Sequence, residues 1–270
     1  MDEARQYSST IFEAFLHGVS PRKAFRTRFR VEHSHHLDFG AKAATCVDTF
    51  MNVIRWLIRT AVMLLCLIEG SAMAGNTVSF ESDTVGATPK GWTATSTGRG
   101  DPKWTVEQDP TAPSKLKVVK QSGRAAYPVL LNDGTNIKDG FVEVKFKAVA
   151  GSEDRAGGLV WRASDANNYY VVRANALEDN VVLYKTVNGV RSALDIVGRK
   201  GGYGVKVSVP ANRWLSLRID FNGSRFRVLY DGKQLFEVED LTFSNAGKVG
   251  LWTKADSVTL FDEIVYGGTE

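Results

Sequence analysis

Phe141-Val-Glu-Val-Lys-Phe-Lys-Ala-Val149 decides the fold. From Val142 it alternates strictly. Val142, Val144, Phe146 and Ala148 share one side, and Glu143, Lys145 and Lys147 share the other. A period of two belongs to a strand with one face buried and one in water. Trp214-Leu-Ser-Leu-Arg-Ile-Asp-Phe221 repeats it, with Leu215, Leu217, Ile219 and Phe221 facing inward. Asn222-Gly223 leads from that strand into Arg225–Tyr230, and Asp231-Gly232 leads on into Lys233–Glu239. Asn188-Gly189 follows Val181–Val187 in the same way. Such dipeptides tolerate positive φ and suit two-residue hairpins. From Val78 onward, apolar segments recur at roughly 8–12-residue spacing between turn signals, which is the pattern of an all-β sandwich or barrel. No stretch after residue 75 sustains a helical period. The expectation is an all-β fold of two stacked antiparallel sheets, a jelly roll. Val258–Tyr266 should close it by returning beside Thr77–Glu81.

Upstream of this region the chain changes character. Met51–Arg59 is a short basic lead, Thr60–Ile68 is an apolar run, and Ser71-Ala-Met-Ala74 ends small-x-small before Gly75. That order of parts is a secretion signal. The chain therefore divides into a leader at 1–50, a signal-peptide helix at 51–74 and an exported domain at 75–270, periplasmic or extracellular. An uncleaved signal would be the domain's link to a membrane. Glu69 interrupts the apolar run well short of the roughly 20 residues a spanning helix needs. Leader residues 1–50 carry no apolar period and fit either a cytoplasmic tail or a start codon assigned too far upstream.

The division also sets which chemistry the exported part can do. All four His and both Cys lie before Gly75, the last of them Cys66. Imidazole and thiolate chemistry are thus excluded from 75–270. That segment holds 25 Lys and Arg against 23 Asp and Glu, a balance near +2. So even a charge distribution argues against nucleic acid as a partner. At 196 residues (270 − 74) the segment is long enough to bury a core without disulfides.

Three blocks carry a family likeness. They are Arg155–Asp165 running into Asn167–Arg173 and Asn180–Tyr184; Trp214–Arg218; and Gly247–Lys254 followed by Phe261-Asp262. Together they resemble the concanavalin A-like (laminin G, jelly-roll) domains of bacterial exported proteins in the 3-keto-disaccharide hydrolase-like, or family 16 glycoside hydrolase-like, group. The resemblance spans residues 77 to 267. It implies a concanavalin A-like sandwich with a carbohydrate partner, either a binding or accessory module or an enzyme. A purely structural or protein-interaction module is the third possibility.

Binding is the leading expectation. A sugar ring is held by an aromatic platform with polar side chains at its rim. Arg162, Tyr170, Arg173 and Tyr184 lie on three successive predicted strands. Strand neighbours sit about 4.8 Å apart, so these residues could form one patch. Regular parity sends Tyr170 and Arg173 to opposite faces unless a bulge intervenes, so the core expectation is Arg162 with one of them. Trp252 joins the candidates because Lys254 shares its strand face. A retaining glycosidase needs two carboxylates roughly 5 Å apart. The family 16 enzymes carry theirs as Glu-x-Asp-x-Glu on one strand, and this chain lacks that motif. Glu237 and Glu239 alternate with Phe236 and Val238, as on a solvated strand face. A keto-glycoside-cleaving enzyme would need only one base, here an Asp, Glu, Lys or Tyr. Sandwiches of the resembled type suggest a structural Ca²⁺. Asp83, near Glu81, and Asp262 on the last strand are its candidate ligands.

Overall fold

The structure, a computed structural model, describes residues 75–269. The 1–50 leader and the 51–74 signal segment lie outside the described residues. The named elements are all strands: β1 (Asn76–Val78), β2 (Trp92–Asp101), β3 (Trp104–Gln108), β4 (Lys117–Gln121), β5 (Arg124–Asn132), β6 (Asp139–Ala150), β7 (Ala156–Asp165) and β8 (Asn168–Asn175). They continue with β9 (Asn180–Val187), β10 (Val190–Ala193), β11 (Val205–Lys206), β12 (Leu215–Asn222), β13 (Arg225–Tyr230), β14 (Lys233–Glu239), β15 (Lys248–Trp252) and β16 (Val258–Thr269). Among the described residues no helix is long and apolar enough to cross a membrane.

The strands form two antiparallel sheets. The first runs β14-β13-β12-β6-β16-β4-β3, with β1 also on β16. The second runs β10-β9-β8-β7-β15-β5-β2, with β11 also on β9. The two long alternating stretches of the sequence, β6 and β12, lie side by side at the middle of the first sheet, Val144 opposite Leu217. Their apolar residues face the second sheet and build the core with Phe226, Val228, Phe261, Leu159, Trp161, Val172 and Leu251. Each fully buried Leu, Val or Phe contributes roughly 1.5–3 kcal/mol. The last strand meets the first as expected, with Thr77 opposite Val265.

The turns follow the sequence with one shift. Asn188-Gly189 and Asp231-Gly232 both sit at positive φ as two-residue loops, closing Val187 on Val190 and Tyr230 on Lys233. That is the I′ geometry, which matches strand twist. The expected Asn222-Gly223 turn is displaced by one residue. Asn222 pairs with Arg225, so the loop is Gly223-Ser224, and of these two only Gly223 has positive φ. A loop with Gly first and one positive φ is of type II′.

Candidate functional site

The sheets differ in their outward faces. In β6 burial alternates, and Glu143, Lys145 and Lys147 point to water. In β8 and β9 nearly every residue is buried. Tyr170, Val172, Val181 and Leu183 face the inner core. Tyr169, Val171, Val182 and Tyr184 join a second apolar group with Val129, Leu131, Val160 and Trp252. That group covers the outer face of the second sheet.

The face is strongly curved. Arg191 on β10 stands four strands from Trp252 on β15. A flat sheet would separate them by roughly 19 Å at about 4.8 Å per strand. Yet the Arg191 guanidinium is 5.4 Å from the Trp252 ring centroid, 4.2 Å from that of Tyr184 and 4.7 Å from that of Tyr127. The outer face of the second sheet is therefore concave, and side chains from both flanks meet over it and bury its floor. Tyr127 and Trp252 stack at 5.7 Å, and Trp252 Nε1 donates to the Tyr169 hydroxyl. The floor is thinned at Gly158, which sits between Trp252 and Arg173 in the cross-strand row. A Cβ there would lie 2.6 Å from the Val172 carbonyl oxygen.

Arg173 lies fully buried beside this cage. Its Nη1 donates to Asn180 Oδ1 at 2.7 Å. Its Nη2 reaches Glu178 Oε2 at 2.8 Å and the Tyr203 and Tyr184 hydroxyls at 3.0 and 3.1 Å. Burial disfavours the cation, but Tyr184, Glu178 and Tyr203 outweigh it and raise its pKa. Burial alone would raise the Glu178 pKa; hydrogen bonds from Arg173 and Asn180 outweigh it and hold the carboxyl below its usual value. Burial raises the Tyr184 phenol, despite the opposing charge of Arg173. At the rim, Lys254 donates to Asp154 at 2.6 Å, and Asn175 holds the other Asp154 oxygen at 2.8 Å. Arg173 Nε, Arg191 Nη1 and Thr186 Oγ1 are buried without a hydrogen-bond partner among the described residues. An unmet buried polar group costs about 1–3 kcal/mol.

The six expected ligand residues thus divide. Arg173, Tyr184, Trp252 and Lys254 come together on the outer side of the second sheet. Arg162 and Tyr170 do not. Parity would turn Arg162 outward beside Val160, but its φ of 47° within a bulge reverses it. Its guanidinium stacks over Phe221 and Phe226 and donates to the Lys138 and Phe243 carbonyls and to Asp139. Tyr170 is on the inner face, stacked on Trp161 at 5.3 Å, with its hydroxyl donating to Asp240. Both knit the sandwich together. Tyr127, Arg191, Tyr203 and Glu178 were missed by sequence reasoning. For Arg191 a signal existed: the Asn188-Gly189 hairpin sets it opposite Thr186, on the face of Tyr184.

The expected calcium ligands do not converge. Asp83 accepts the Lys90 N–H, and Asp262 accepts the Ser114 N–H and hydroxyl. Glu81 is occupied by the N–H groups of Leu116 and Lys117. Among the described residues no three His, Cys, Asp or Glu side chains are grouped to hold a metal.

A depression of about 580 Å³ lies on the opposite side of the molecule, lined by Phe141, Arg218, Arg225 and Arg227. Its arginines are all matched: Arg218 with Glu143 and Asp220, Arg225 with Glu239, Arg227 with Glu237. The hollow of the second sheet, with its unmet donors, is the better candidate.

No protein-family model matches the chain, and no curated protein does. Solved structures do. The carbohydrate-binding module CBM66 from Bacillus subtilis is 22% identical, covering 66% of this chain and 96% of its own, with a TM-score of 0.52. The cellulose-induced protein Cip1 is 14% identical, covering 72% and 97%, with a TM-score of 0.51. These likenesses establish architecture and nothing finer. The chain has the concanavalin A-like jelly-roll sandwich fold.

Proposed function

We propose that the domain binds carbohydrate in the hollow of the second sheet and does no chemistry on it. The observation that carries this reading is the gathering of Tyr127, Tyr184, Trp252 and Tyr203 with Arg173, Arg191 and Lys254 on one concave face. Tyr127 and Tyr203, which reach the surface, offer ring faces to sugar C–H groups, and the partly exposed Arg191 and Lys254 offer donors to sugar oxygens. Trp252, Tyr184 and Arg173 lie buried beneath and hold them in place. The likeness to a carbohydrate-binding module points the same way. A keto-glycoside-cleaving enzyme would need a free base. Both carboxylates at this face are engaged, Glu178 by Arg173 and Asp154 by Lys254. A carboxyl held low, as Glu178 is, makes a weak general base.

The test is a screen of oligo- and polysaccharides by calorimetry, run beside turnover assays on a 3-keto-disaccharide and plain disaccharides. Binding without cleavage supports the reading. Cleavage abolished by Asp154→Asn or Glu178→Gln would replace it with the enzyme reading. Export through 51–74, to a periplasmic or extracellular location, belongs to the same proposal. Its check is N-terminal sequencing of the protein recovered outside the cytoplasm, which should begin at Gly75. A rise in Tm on adding calcium would restore the metal expectation that the engaged carboxylates speak against.

A further inference from the structure

We infer that the sugar this hollow takes is acidic, bearing a carboxylate that meets Arg191; the inference rests on the carbohydrate reading above. Charge matching is the first ground. Arg173 is paired with Glu178 and Lys254 with Asp154. Arg191 has no carboxylate partner and no side-chain hydrogen bond among the described residues. It is held instead by the rings of Tyr127, Tyr184 and Trp252. Ring faces attract a cation but leave its N–H groups unspent.

The unmet donors are the second ground, and they are independent of charge. Arg191 Nη1 and Arg173 Nε both lack an acceptor. Their guanidinium carbons lie 4.2 and 5.8 Å from the same Tyr184 ring centroid. Thr186, directly opposite Arg191 across the β9–β10 ladder, has a buried hydroxyl that is also unpartnered. These three atoms are buried, so a ligand meets the site through the exposed part of Arg191, the uncompensated cation beside them. A neutral hydroxyl supplies an acceptor but no charge. A carboxylate supplies both, and its two oxygens match the planar donor fork of arginine. The aromatic cage holds that fork in place before the ligand arrives, so less conformational freedom is lost on binding.

The experiment compares an oligoglucuronate with the oligoglucoside of the same linkage and length, titrated calorimetrically into the full-length protein. The uronate should bind at least ten-fold tighter at low salt, and the advantage should shrink at 0.5 M NaCl. Arg191→Gln should bring the two ligands within about two-fold of each other. Arg191→Lys, which keeps the charge and loses the fork, should retain an intermediate preference. Circular dichroism and melting establish that each variant is folded. Equal affinity of the native protein for both ligands, or an undiminished preference in folded Arg191→Gln, overturns the acidic assignment while leaving carbohydrate binding intact. Binding of neutral glycans alone does the same. No binding of any glycan by the folded protein overturns both readings.

Discussion

The two outer faces of this sandwich are made of the same kinds of residue arranged for opposite ends. On the first sheet, each arginine on the outer side of β12 and β13 has a carboxylate partner: Arg218, Arg225 and Arg227. That face is flat in sequence terms, with alternating charge and Trp214 half-buried under Lys147. On the second sheet, Glu178 and Asp154 match Arg173 and Lys254, but aromatic rings take the place of a carboxylate beside Arg191, and polar atoms are buried with nothing to bond. A face that satisfies its own charges has nothing left for a ligand. A face that leaves donors unmet is less stable alone and more stable when occupied. If the proposed site holds, the difference teaches that unspent hydrogen-bonding capacity on an outer face is a better marker than charge or the size of a depression; unmet donors in the core, Trp104 and Trp161 Nε1, carry no such meaning.

Substitutions on the two faces should therefore differ in scale. Trp252→Ala should do most. It removes a fully buried ring that touches Tyr127, Tyr169 and Arg191. A loss of about 3–5 kcal/mol and a fall in Tm on the order of 10 °C are expected, with glycan binding lost; thermal melting and calorimetry check both. Tyr184→Phe should be milder, lowering stability by about 1 kcal/mol in urea titrations. It removes the hydroxyl joining Arg173 to Tyr203 but keeps the ring under Arg191.

The acid limb of the stability curve sharpens the comparison further. The Glu178 pKa is lowered in the fold from a reference of 4.5, with burial opposing and Arg173 prevailing. Its contribution is therefore fully present above about pH 4.5 and lost as pH falls through the lower folded value. Glu178→Gln should flatten that part of the profile, read by urea unfolding between about pH 2 and 5, the range below the ordinary carboxylate titration. Smallest of all should be the Arg227–Glu237 pair on the first sheet. A double-mutant cycle there should give a coupling below about 0.5 kcal/mol, because both partners reach solvent. A coupling several times larger would break the contrast between the faces.

The first sheet was more legible in the sequence than the second. Val142 to Ala148 and Leu215 to Phe221 alternate because one side of each strand meets water. Runs such as Tyr169-Tyr-Val-Val172 do not alternate, because both sides are buried. Periodicity then carries no information about facing. Arg173, Tyr184, Trp252 and Lys254 were chosen by residue type, and their proximity is visible only in the fold. Arg162 was misplaced because one positive φ reverses parity, and nothing in Trp161-Arg162-Ala163 announces that turn. The cage around Arg191 depends on curvature accumulated over four strands. Curvature of that kind is a property of the closed sheet and not of any one segment.

The pairing of β1 with β16 has a practical corollary. Asn76 and Tyr266 are opposite each other on the first sheet, the sheet without the hollow. A dye, a surface linkage or a fused reporter placed at either end of 76–269 should therefore stand clear of the concave side. Because the two ends are neighbours, the whole sandwich could also be spliced into a surface loop of a host protein as a cassette. The concave side would then be presented outward without re-engineering the domain.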